Sequence, residues 1–553
     1  MSPLPPPWPI LLIALPLAAA ILAFAAPRWN RFCGLVTMAG TATLLALLTG
    51  DLGKQEQLLY PLGGWAAEVG IGLAADGLSL WLLWLTALIN IAVGLYSPGY
   101  FQSPAHDRRL TYFYPLWLVL WASLNGLLLS ADLFNIYVGL ELLGLAAVCL
   151  VSLSGTAAAR QAALRYLLLN IFGSFCFLLG VILIYRQTGS LNLALFTELT
   201  TPDPLVRLAL AGMTLGLIIK SALFPLHFWL PPAHANAPAP ASALLSALVV
   251  KASLYLLLKL WLPLWQHADL ELFAAFQLLG GLGAAAVFWG SLQALRSQAL
   301  KELIAYSTVA QMGYLFLAFP LLLGPNPQAA LYGLLFILAG HALAKTALFL
   351  AAGTVQQYIV PTPRLAPGEC PSKAKGQQQP TAPPSNSRTG DPQAAPQNPG
   401  NQDRPLLVSD LRALSQGLPL TAITISLAAV ILMGLPPSSG FIGKWYLLLA
   451  TMEAGQWWWT LAIIGGSLLS VAYLLRPVTA TFSRPARHRQ TAKVTGQPVA
   501  VFAAPLFMQW PPLLLALAGI LLGLFPWLTL EIAGGGLPAG WLPPAGTLAG
   551  GGP

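Results

Sequence analysis

The sequence predicts an all-α polytopic membrane protein with about fourteen transmembrane helices, and three observations point to this fold class. Hydrophobic residues fill 57% of the 553 positions and charged residues only 8%, whereas soluble proteins carry about 25% charged residues. The mean hydropathy is +0.71. The apolar residues also form separate runs of about 20, the length with which a helix crosses a bilayer.

Short, more polar loops separate these runs. In chain order the predicted spans are 8–26, 32–50, 76–98, 112–130, 132–153, 165–186, 207–228, 241–262, 272–295, 303–323, 328–354, 418–450, 457–476 and 510–532. No Lys or Arg precedes the first run, so we interpret it as a permanent span rather than a cleaved signal peptide. The twelfth run is too long for one straight helix and contains Pro436-Pro437, which predicts a break.

The basic residues predict how the spans are oriented. Loops after the odd-numbered spans carry 19 of the 27 Lys and Arg residues, and loops after the even-numbered spans carry three. The positive-inside rule therefore puts the odd-numbered loops in the cytoplasm and both termini on the other side. Because the basic residues are spread over these loops, the net charge of +9 does not indicate binding to nucleic acid.

One connection differs from the rest in composition. Residues 361–405 are rich in Pro, Gln, Ser and Gly. A segment of this kind cannot bury enough apolar surface to order itself. We predict a disordered cytoplasmic loop, with a docking site for a partner as the alternative.

Five titratable side chains lie inside apolar runs, where a charge costs roughly 2.5–3.5 kcal/mol on insertion scales. They are Glu141, Lys220, Lys251, Lys345 and Lys444. One glutamate cannot pair statically with four lysines, so some lysines should be neutral part of the time. Burial favours the neutral amine and a nearby carboxylate restores the ammonium, so a lysine whose partner moves can hold and then release a proton. The single buried carboxylate favours a proton path over a sodium path.

For two of these residues, a purely structural role is an alternative to a role in transport. Glu141 follows Asp132 by nine residues, which places it roughly 13 Å deeper along a helix; it could instead be a protonated acid in one helix–helix hydrogen bond. Lys220 precedes Pro225, and such interrupted helices are typical of transporter sites. Here the alternative is a structural kink with Lys220 as a fixed counter-ion. Asp76 and Asp132 are expected to be helix N-caps.

The remaining lysines lie in later spans. His341 and Lys345 are four residues apart and share one helical face, which favours a hydrated functional face over a satisfied core histidine. Lys444 lies just beyond the predicted break of span twelve. Lys259, near the end of span eight, is expected to extend its amine to the membrane interface.

The chain carries no motif for a haem, a flavin, a dinucleotide or a metal, and its four cysteines show no paired spacing. We therefore expect no cofactor and no catalytic chemistry in this chain. If redox chemistry supplies the energy, another protein of the same complex must provide the electrons.

Several stretches together resemble the antiporter-like subunits. This family includes the large proton-pumping membrane subunits of respiratory complex I and their cyanobacterial and plastid counterparts, membrane-bound hydrogenases, and the Mrp multisubunit Na⁺/H⁺ antiporters. The resemblance runs from about residue 75 to 475. The stretches that carry it are Ala75 to Ser79, Asp132 to Phe134 with Glu141, Lys220 to His234, Ala237 to Ser242 leading to Lys251, Ala305 to Tyr314, His341 to Lys345, and Gly434 to Lys444.

The resemblance implies fourteen helices with two inverted five-helix repeats, spans 4–8 and 9–13, each containing one broken helix. It divides the chain into 1–111 with three helices, 112–262 with the first repeat, 272–476 with the second repeat and the 361–405 insertion, and 477–553 with the last helix and a tail.

The resemblance also implies roles for the buried residues. Glu141 and Lys220 would form an ion pair, and Lys251 would pass protons towards the centre. His341 and Lys345 match the central relay, and Lys444 matches the residue that faces the outlet. The supporting positions are Pro225, His227, His234, Pro436, Pro437 and Asp132.

Span twelve, with a lysine after Pro-Pro-Ser-Ser-Gly-Phe-Ile-Gly, is most similar to the Mrp D-type subunits. The first hypothesis is therefore a proton-translocating subunit of an Mrp-type Na⁺/H⁺ antiporter. The alternatives are a pumping subunit of a quinone-reducing complex I relative or a membrane-bound hydrogenase, and a non-conducting scaffold. The implied partners are other integral membrane subunits, lipid, protons and, for an antiporter, Na⁺. The implied location is the inner (plasma) membrane or a thylakoid-type membrane.

Overall fold

The computed structural model describes residues 6–55, 57–64, 71–101, 107–193, 203–262, 270–361, 405–412, 414–483, 499–501 and 504–527. The predicted disordered loop at 361–405 therefore lies almost wholly outside the described residues. The same holds for residues 484–498 and for the tail beyond residue 527.

The described part of the chain is mainly helical, as the fold class predicts. Its α-helices are α1 (Trp8–Ala25), α2 (Asn30–Leu52), α3 (Gly77–Tyr100), α4 (Asp107–Leu129), α5 (Leu133–Ser152), α6 (Ala157–Thr188), α7 (Pro204–Lys220), α8 (Leu230–Asn236), α9 (Ala239–Leu244), α10 (Val250–Trp261), α11 (Leu270–Arg296), α12 (Leu300–Phe316), α13 (Phe319–Leu322), α14 (Pro327–Tyr358), α15 (Leu414–Gly417), α16 (Pro419–Met433), α17 (Ser439–Glu453), α18 (Trp457–Phe482) and α19 (Leu506–Leu524). A π-helical turn, Leu245–Val249, joins α9 to α10.

Within the described residues, twelve helical segments are long and apolar enough to cross a membrane. They coincide with twelve of the predicted spans, because each span is an uninterrupted apolar run. The protein is a multi-pass membrane protein. The count of fourteen and the inverted relation between the two halves remain predictions.

The seventh and twelfth predicted spans are interrupted, as their prolines indicate. Helix α7 ends at Lys220, inside the predicted span 207–228 and five residues before Pro225. Pro225 cannot donate a backbone hydrogen bond and its ring excludes a preceding helical turn, and Ala222 adopts a positive φ of 51°. In the second interruption, Gly434 ends α16 at a φ of 75° and Ser438 caps the start of α17.

Side-chain caps fix where several spans begin. Asp76 accepts a hydrogen bond from the backbone N–H of Ser79, and Asp132 accepts one from that of Asn135. These bonds satisfy amide groups that have no partner inside a helix. The prediction that both aspartates are N-caps is confirmed.

Helix α14 lies at the centre of the molecule. It packs against α3, α9, α12, α16, α17 and α19, and its most apolar stretch is entirely buried. Helices α6, α11 and α18 instead expose leucine and aromatic side chains outwards, as expected for helices that face lipid. Of the buried lysines described below, Lys345 lies on α14, and Lys444 lies on α17, which packs against it.

Two short pairs of antiparallel strands accompany the helices in the described part of the chain. Strand β1 (Gln57–Pro61) pairs with β2 (Gly72–Asp76), with Gln57 opposite Asp76. Strand β3 (Ile359–Pro361) pairs with β4 (Val499–Val501). The first pair leads directly into α3, and the second pair joins the end of α14 to the chain before α19.

Candidate functional site

Lys220 and Glu141 form an ion pair at the end of α7. The Nζ atom of Lys220 lies 3.7 Å from Oε1 of Glu141 and donates a hydrogen bond to Oδ1 of Asn170 at 2.7 Å. The lysine side chain is 5% exposed and the glutamate side chain 25%. The expected pairing of Glu141 with Lys220 is thus present in the geometry.

Two residues of α6 complete this group, and neither was predicted from the sequence. Asn170 binds Lys220, and Ser174 donates a hydrogen bond to Glu141. They lie four residues apart and therefore on the same face of the helix. This polar pair inside an apolar span was the signal that could have identified them.

A glycine of α5 makes room for this arrangement. A Cβ atom on Gly144 would lie 2.3 Å from Nδ2 of Asn170, closer than real Cβ contacts come. Glycine therefore lets the amide lie directly against α5, where it reaches Lys220.

Lys251 follows the π-helical turn and is buried. Its amine donates to the backbone carbonyl of Ser246, a residue of that turn. The Ser246 hydroxyl is in turn 2.9 Å from the hydroxyl of Thr308 on α12. A π-helical turn is rare and is often found at functional sites.

Lys345 lies near the middle of α14 and also contacts α12. Its amine donates to the carbonyl of Ile304 at 2.7 Å and to the hydroxyl of Ser307. Lys251 and Lys345 are linked to the same stretch of α12: Lys251 binds Ser246, whose hydroxyl contacts Thr308, and Lys345 binds Ile304 and Ser307. The structure therefore brings these two predicted residues together.

Two buried histidines lie beside Lys345. His341 precedes it by one helical turn, and His234 stacks on Phe349 with ring centroids 5.1 Å apart. Neither ring nitrogen of either histidine has a hydrogen-bond partner among the described residues. Buried polar atoms normally have such a partner, in the protein or in ordered water, so His341 is not a core histidine satisfied by neighbouring protein groups.

Lys444 lies at the second interruption. Its Nζ donates to the Met433 carbonyl at 2.9 Å and lies 4.6 Å above the ring of Tyr314, which is within cation–π range. That carbonyl is available because α16 ends at Met433. Gly434 permits the contact, since a Cβ atom there would lie 2.7 Å from Cδ of Lys444.

Helix α12 contacts Lys345 and Lys444 directly and is linked to Lys251 through Ser246. Besides its contacts with Lys345 and with Ser246, its Gln311 donates to the Leu432 carbonyl at 3.0 Å, and Lys444 lies 3.5 Å from the same oxygen. The polar residues of α12 belong to the stretch Ala305 to Tyr314 that carries the family resemblance, but no role was predicted for any of them. Their partners are distant in the chain and become visible only in the fold.

The supporting residues other than His234 lie in the two interruptions or at the start of α5. His227 lies between α7 and α8, is largely buried, and stacks on Phe224 at 5.6 Å. Pro225 lies in the first interruption, and Pro436 and Pro437 lie in the second. Asp132 uses its carboxylate to cap α5.

The prediction that Lys259 extends its amine to the membrane interface was wrong. Lys259 does not extend to an interface, because every residue of α10 is buried by neighbouring helices. Its amine instead lies 5.0 Å above the ring of Tyr255 on the same helix. The sequence showed only that this lysine is near the end of a span.

The hydrogen-bond acceptors of Lys251, Lys345 and Lys444 are neutral groups. Lys251, Lys345 and Lys444 donate to backbone carbonyls and to a hydroxyl, and in the part of the chain that is described only Lys220 among the buried lysines has an ion pair. A carbonyl accepts a hydrogen bond from an ammonium and from a neutral amine alike. These contacts therefore suit both protonation states of lysine.

Comparison with known proteins identifies the family. Residues 130–366 and 402–470 match the family described as "NADH:quinone oxidoreductase/Mrp antiporter, TM". The chain is 32% identical to the N subunit of the NADH-quinone oxidoreductase of Desulforudis audaxviator, with 94% of this chain and 95% of that protein covered. It is 28% identical to the D subunit of the Na⁺/H⁺ antiporter of Bacillus subtilis, with 89% and 91% covered.

The fold agrees with this assignment. A chain in the structure of the Mrp complex from Dietzia sp. superposes with a TM-score of 0.77 at 24% identity, and the match covers 96% of both chains. These similar proteins are subunits of multisubunit membrane complexes. The chain thus belongs to the NADH:quinone oxidoreductase/Mrp antiporter transmembrane family.

Proposed function

We propose that this protein is a proton-translocating component of a multisubunit Mrp-type Na⁺/H⁺ antiporter, similar to the D-type subunits. The observation that carries the proposal is the Glu141–Lys220 pair at an interrupted helix, together with buried lysines that bind neutral acceptors. Charges of this kind are costly in a membrane and mark ion or proton pathways. In this proposal Glu141 and Lys220 form the coupling pair and Lys251 passes protons inwards. His341 and Lys345 form the central relay, and Lys444 faces the outlet.

The transported species favoured by these residues is the proton. Within the described residues, no group of three or more His, Cys, Asp or Glu side chains could hold a metal ion. The imidazole nitrogens of His234 and His341, which have no hydrogen-bond partner among the same residues, support a hydrated centre, because water is the group that both satisfies them and conducts protons. Sodium would then be moved by another part of the assembly.

A second candidate is a proton-pumping component of a complex I relative. The 32% identity to the N subunit of an NADH-quinone oxidoreductase, over nearly the whole of both chains, favours it. In that case redox chemistry in other subunits would drive the same proton path. Purification of the native complex distinguishes the two candidates: six or seven small membrane subunits support the antiporter, and iron–sulfur subunits support the oxidoreductase.

The proposed location is the inner (plasma) membrane or a thylakoid-type membrane, with both termini on the non-cytoplasmic side. The distribution of Lys and Arg among the loops supports this orientation. The proposed partners are other integral membrane subunits of the complex.

The test of the proposal replaces Glu141 or Lys220 with Ala in the assembled complex. Proton coupling is measured in membrane vesicles with a pH-sensitive dye, and assembly is measured by co-purification. We expect coupling to be lost while assembly is retained, because packing does not need the charges. Normal coupling in Lys220→Ala vesicles would overturn the proposal.

A matched control uses an exposed ion pair. Lys54, 79% exposed, lies 3.5 Å from Asp51, and Lys54→Ala is expected to leave coupling unchanged, since exposed pairs contribute little. A scaffold role predicts a different result: Lys220→Ala would lower the amount of assembled complex rather than its activity.

A further inference from the structure

A cavity of about 400 Å³ lies at the C-terminal end of α18, and none of the residues of the proposed proton path lines it. It is enclosed by the chain just after α11, by the 3₁₀ turn Val408–Leu411 and by the last turns of α18. Its volume lies within the roughly 300–1,000 Å³ that small-molecule sites occupy. The polar residues that line this α18 cavity are Gln298, Ser409, Arg412, Arg476, Thr479 and Ser483.

Two guanidinium groups make the α18 cavity positively charged. Arginine stays charged at neutral pH, and its N–H groups form a fork that fits a phosphate group with two hydrogen bonds. Asp410, the acidic residue of the adjoining turn, is not among the described residues that line the cavity. Its carboxylate accepts a hydrogen bond from the backbone N–H of Leu407 at 2.9 Å. The lining therefore suits an anion.

Arg476 is held in place by the protein and keeps donors for a ligand. Its Nη1 atom donates to the backbone carbonyl of Leu295 near the end of α11, and the other nitrogens of the guanidinium carry further N–H groups. The hydroxyls of Thr479 and Ser483 donate to carbonyls of their own helix, and a hydroxyl hydrogen can rotate towards a ligand. A phosphate would thus meet one guanidinium that is already positioned, which lowers the cost of ordering on binding.

The α18 cavity lies at the end of an apolar stripe on the outside of the same helix. Thr479, which lines the cavity, lies one turn after Leu475 on this face. Helix α11, which packs against α18, exposes Leu292. A free anion would use only the polar cavity, whereas a phospholipid would use the cavity and the stripe together. The exposed apolar residues of the stripe recur every seven positions and are Leu461, Leu468, Leu475 and Phe482.

We propose that the α18 cavity binds the phosphate of an anionic phospholipid whose acyl chains lie along the outward stripe of α18. The two guanidinium groups favour a lipid with net negative charge, because they repel the ammonium group of a zwitterionic headgroup. The bound headgroup would contact the ends of both α11 and α18 and so hold these two helices together. This inference is independent of the proposed proton path.

The experiment uses the purified whole complex and phosphatidylglycerol with a photoreactive diazirine in its acyl chain. The crosslinked peptides are identified by mass spectrometry, and we expect label within residues 406–412 and 475–483. Arg412 is exposed, so Arg412→Gln should assemble normally. This variant is expected to reduce the label about fivefold, the effect of one basic side chain on binding to an anionic lipid. Arg412→Lys keeps the charge and should retain most of the label.

An arginine elsewhere provides the matched control. Arg160 on α6 is also exposed, donates to the Gly155 carbonyl at 2.8 Å, and follows another odd-numbered span. Arg160→Gln removes the same charge outside the α18 cavity and is expected to leave the label on α18 unchanged. Equal losses in Arg412→Gln and Arg160→Gln would contradict a site at the cavity.

Three other results would each overturn the proposal. Equal labelling by a phosphatidylcholine probe, with no effect of Arg412→Gln, would mean that lipids only surround α18. Displacement of the phosphatidylglycerol probe by millimolar inorganic phosphate would assign the cavity to a free anion. Absence of label at the cavity in the assembled complex would mean that protein covers it. Lys220→Ala should leave the labelling unchanged, so the lipid site and the proposed function can fail separately.

Discussion

The amine of Lys220 is bound more closely by Asn170 than by Glu141: its Nζ lies 2.7 Å from the amide oxygen and 3.7 Å from the carboxylate oxygen. A neutral acceptor thus competes with the charged partner for the same amine. The balance between these two contacts determines how closely the Lys220 amine approaches the Glu141 carboxylate.

Asn170→Leu should slow proton translocation. Without the amide oxygen, Lys220 has Glu141 as its remaining close partner, and a tighter ion pair holds the proton on the lysine. A hydrogen bond to a charged group is worth about 1.5–3 kcal/mol, so a rate loss of about tenfold to a hundredfold is expected. The measurement is dye-monitored acidification of vesicles containing the complex. An unchanged rate in an assembled variant would show that the amide does not tune the pair.

Gly144→Ala should have an effect in the same direction as Asn170→Leu. The added Cβ would lie 2.3 Å from the Asn170 amide and push it away from Lys220. Gly281→Ala on α11 is the control, because a Cβ there meets no heavy atom within 4 Å. Translocation rate and thermal stability should both fall in the first variant and stay unchanged in the second. Equal behaviour of the two variants would contradict the packing argument.

Gly434→Ala should distort the backbone of the second interruption and displace Lys444. The positive φ of 75° costs an L-residue about 1–2 kcal/mol, and the new Cβ would lie 2.7 Å from Cδ of Lys444. Gly455→Ala isolates the backbone cost, because Gly455 has a φ of 65° with no neighbour within 4 Å. Both variants should lower the melting temperature, but only Gly434→Ala should also slow translocation. A normal rate in assembled Gly434→Ala would separate this glycine from the path.

Lys444→Glu should retain partial activity that increases as the pH falls. Lys444 donates to the Met433 carbonyl and faces the π surface of Tyr314. A protonated carboxyl group can donate to that carbonyl, whereas an ionised carboxylate is repelled by the oxygen and the ring face. The measurement is the rate of translocation against pH for this variant and for the unmodified protein. Activity that instead increases with pH would mean that the introduced carboxylate finds a donor elsewhere.

Most of the helices and the Glu141–Lys220 pair could be predicted from the sequence. Apolar runs and prolines specify spans and interruptions locally, so the breaks after Lys220 and Met433 were predictable from Pro225 and Pro436-Pro437. The pairing of Glu141 with Lys220 came from the family resemblance.

The remaining parts of the site depend on contacts that no local pattern encodes. Lys251, Lys345 and Lys444 bind backbone carbonyls, and every residue has a carbonyl, so the sequence cannot identify the acceptor. Asn170 and Thr308 contact residues that are about 50–60 positions away, and their importance depends on how the helices pack. Lys259 was misjudged because nearness to a helix end does not reveal whether other helices enclose that end.

The enclosure of the most apolar stretch of α14 has a consequence for how the membrane acts on this protein. Bilayers of different thickness tilt or stretch the helices they touch, at a cost of fractions of a kcal/mol per Å of mismatch. Helices α6, α11 and α18 present side chains to the outside, whereas the central stretch of α14 presents none. The depth of Lys345 is therefore set by neighbouring helices, so a thinner or thicker membrane should deform the periphery before it displaces the centre.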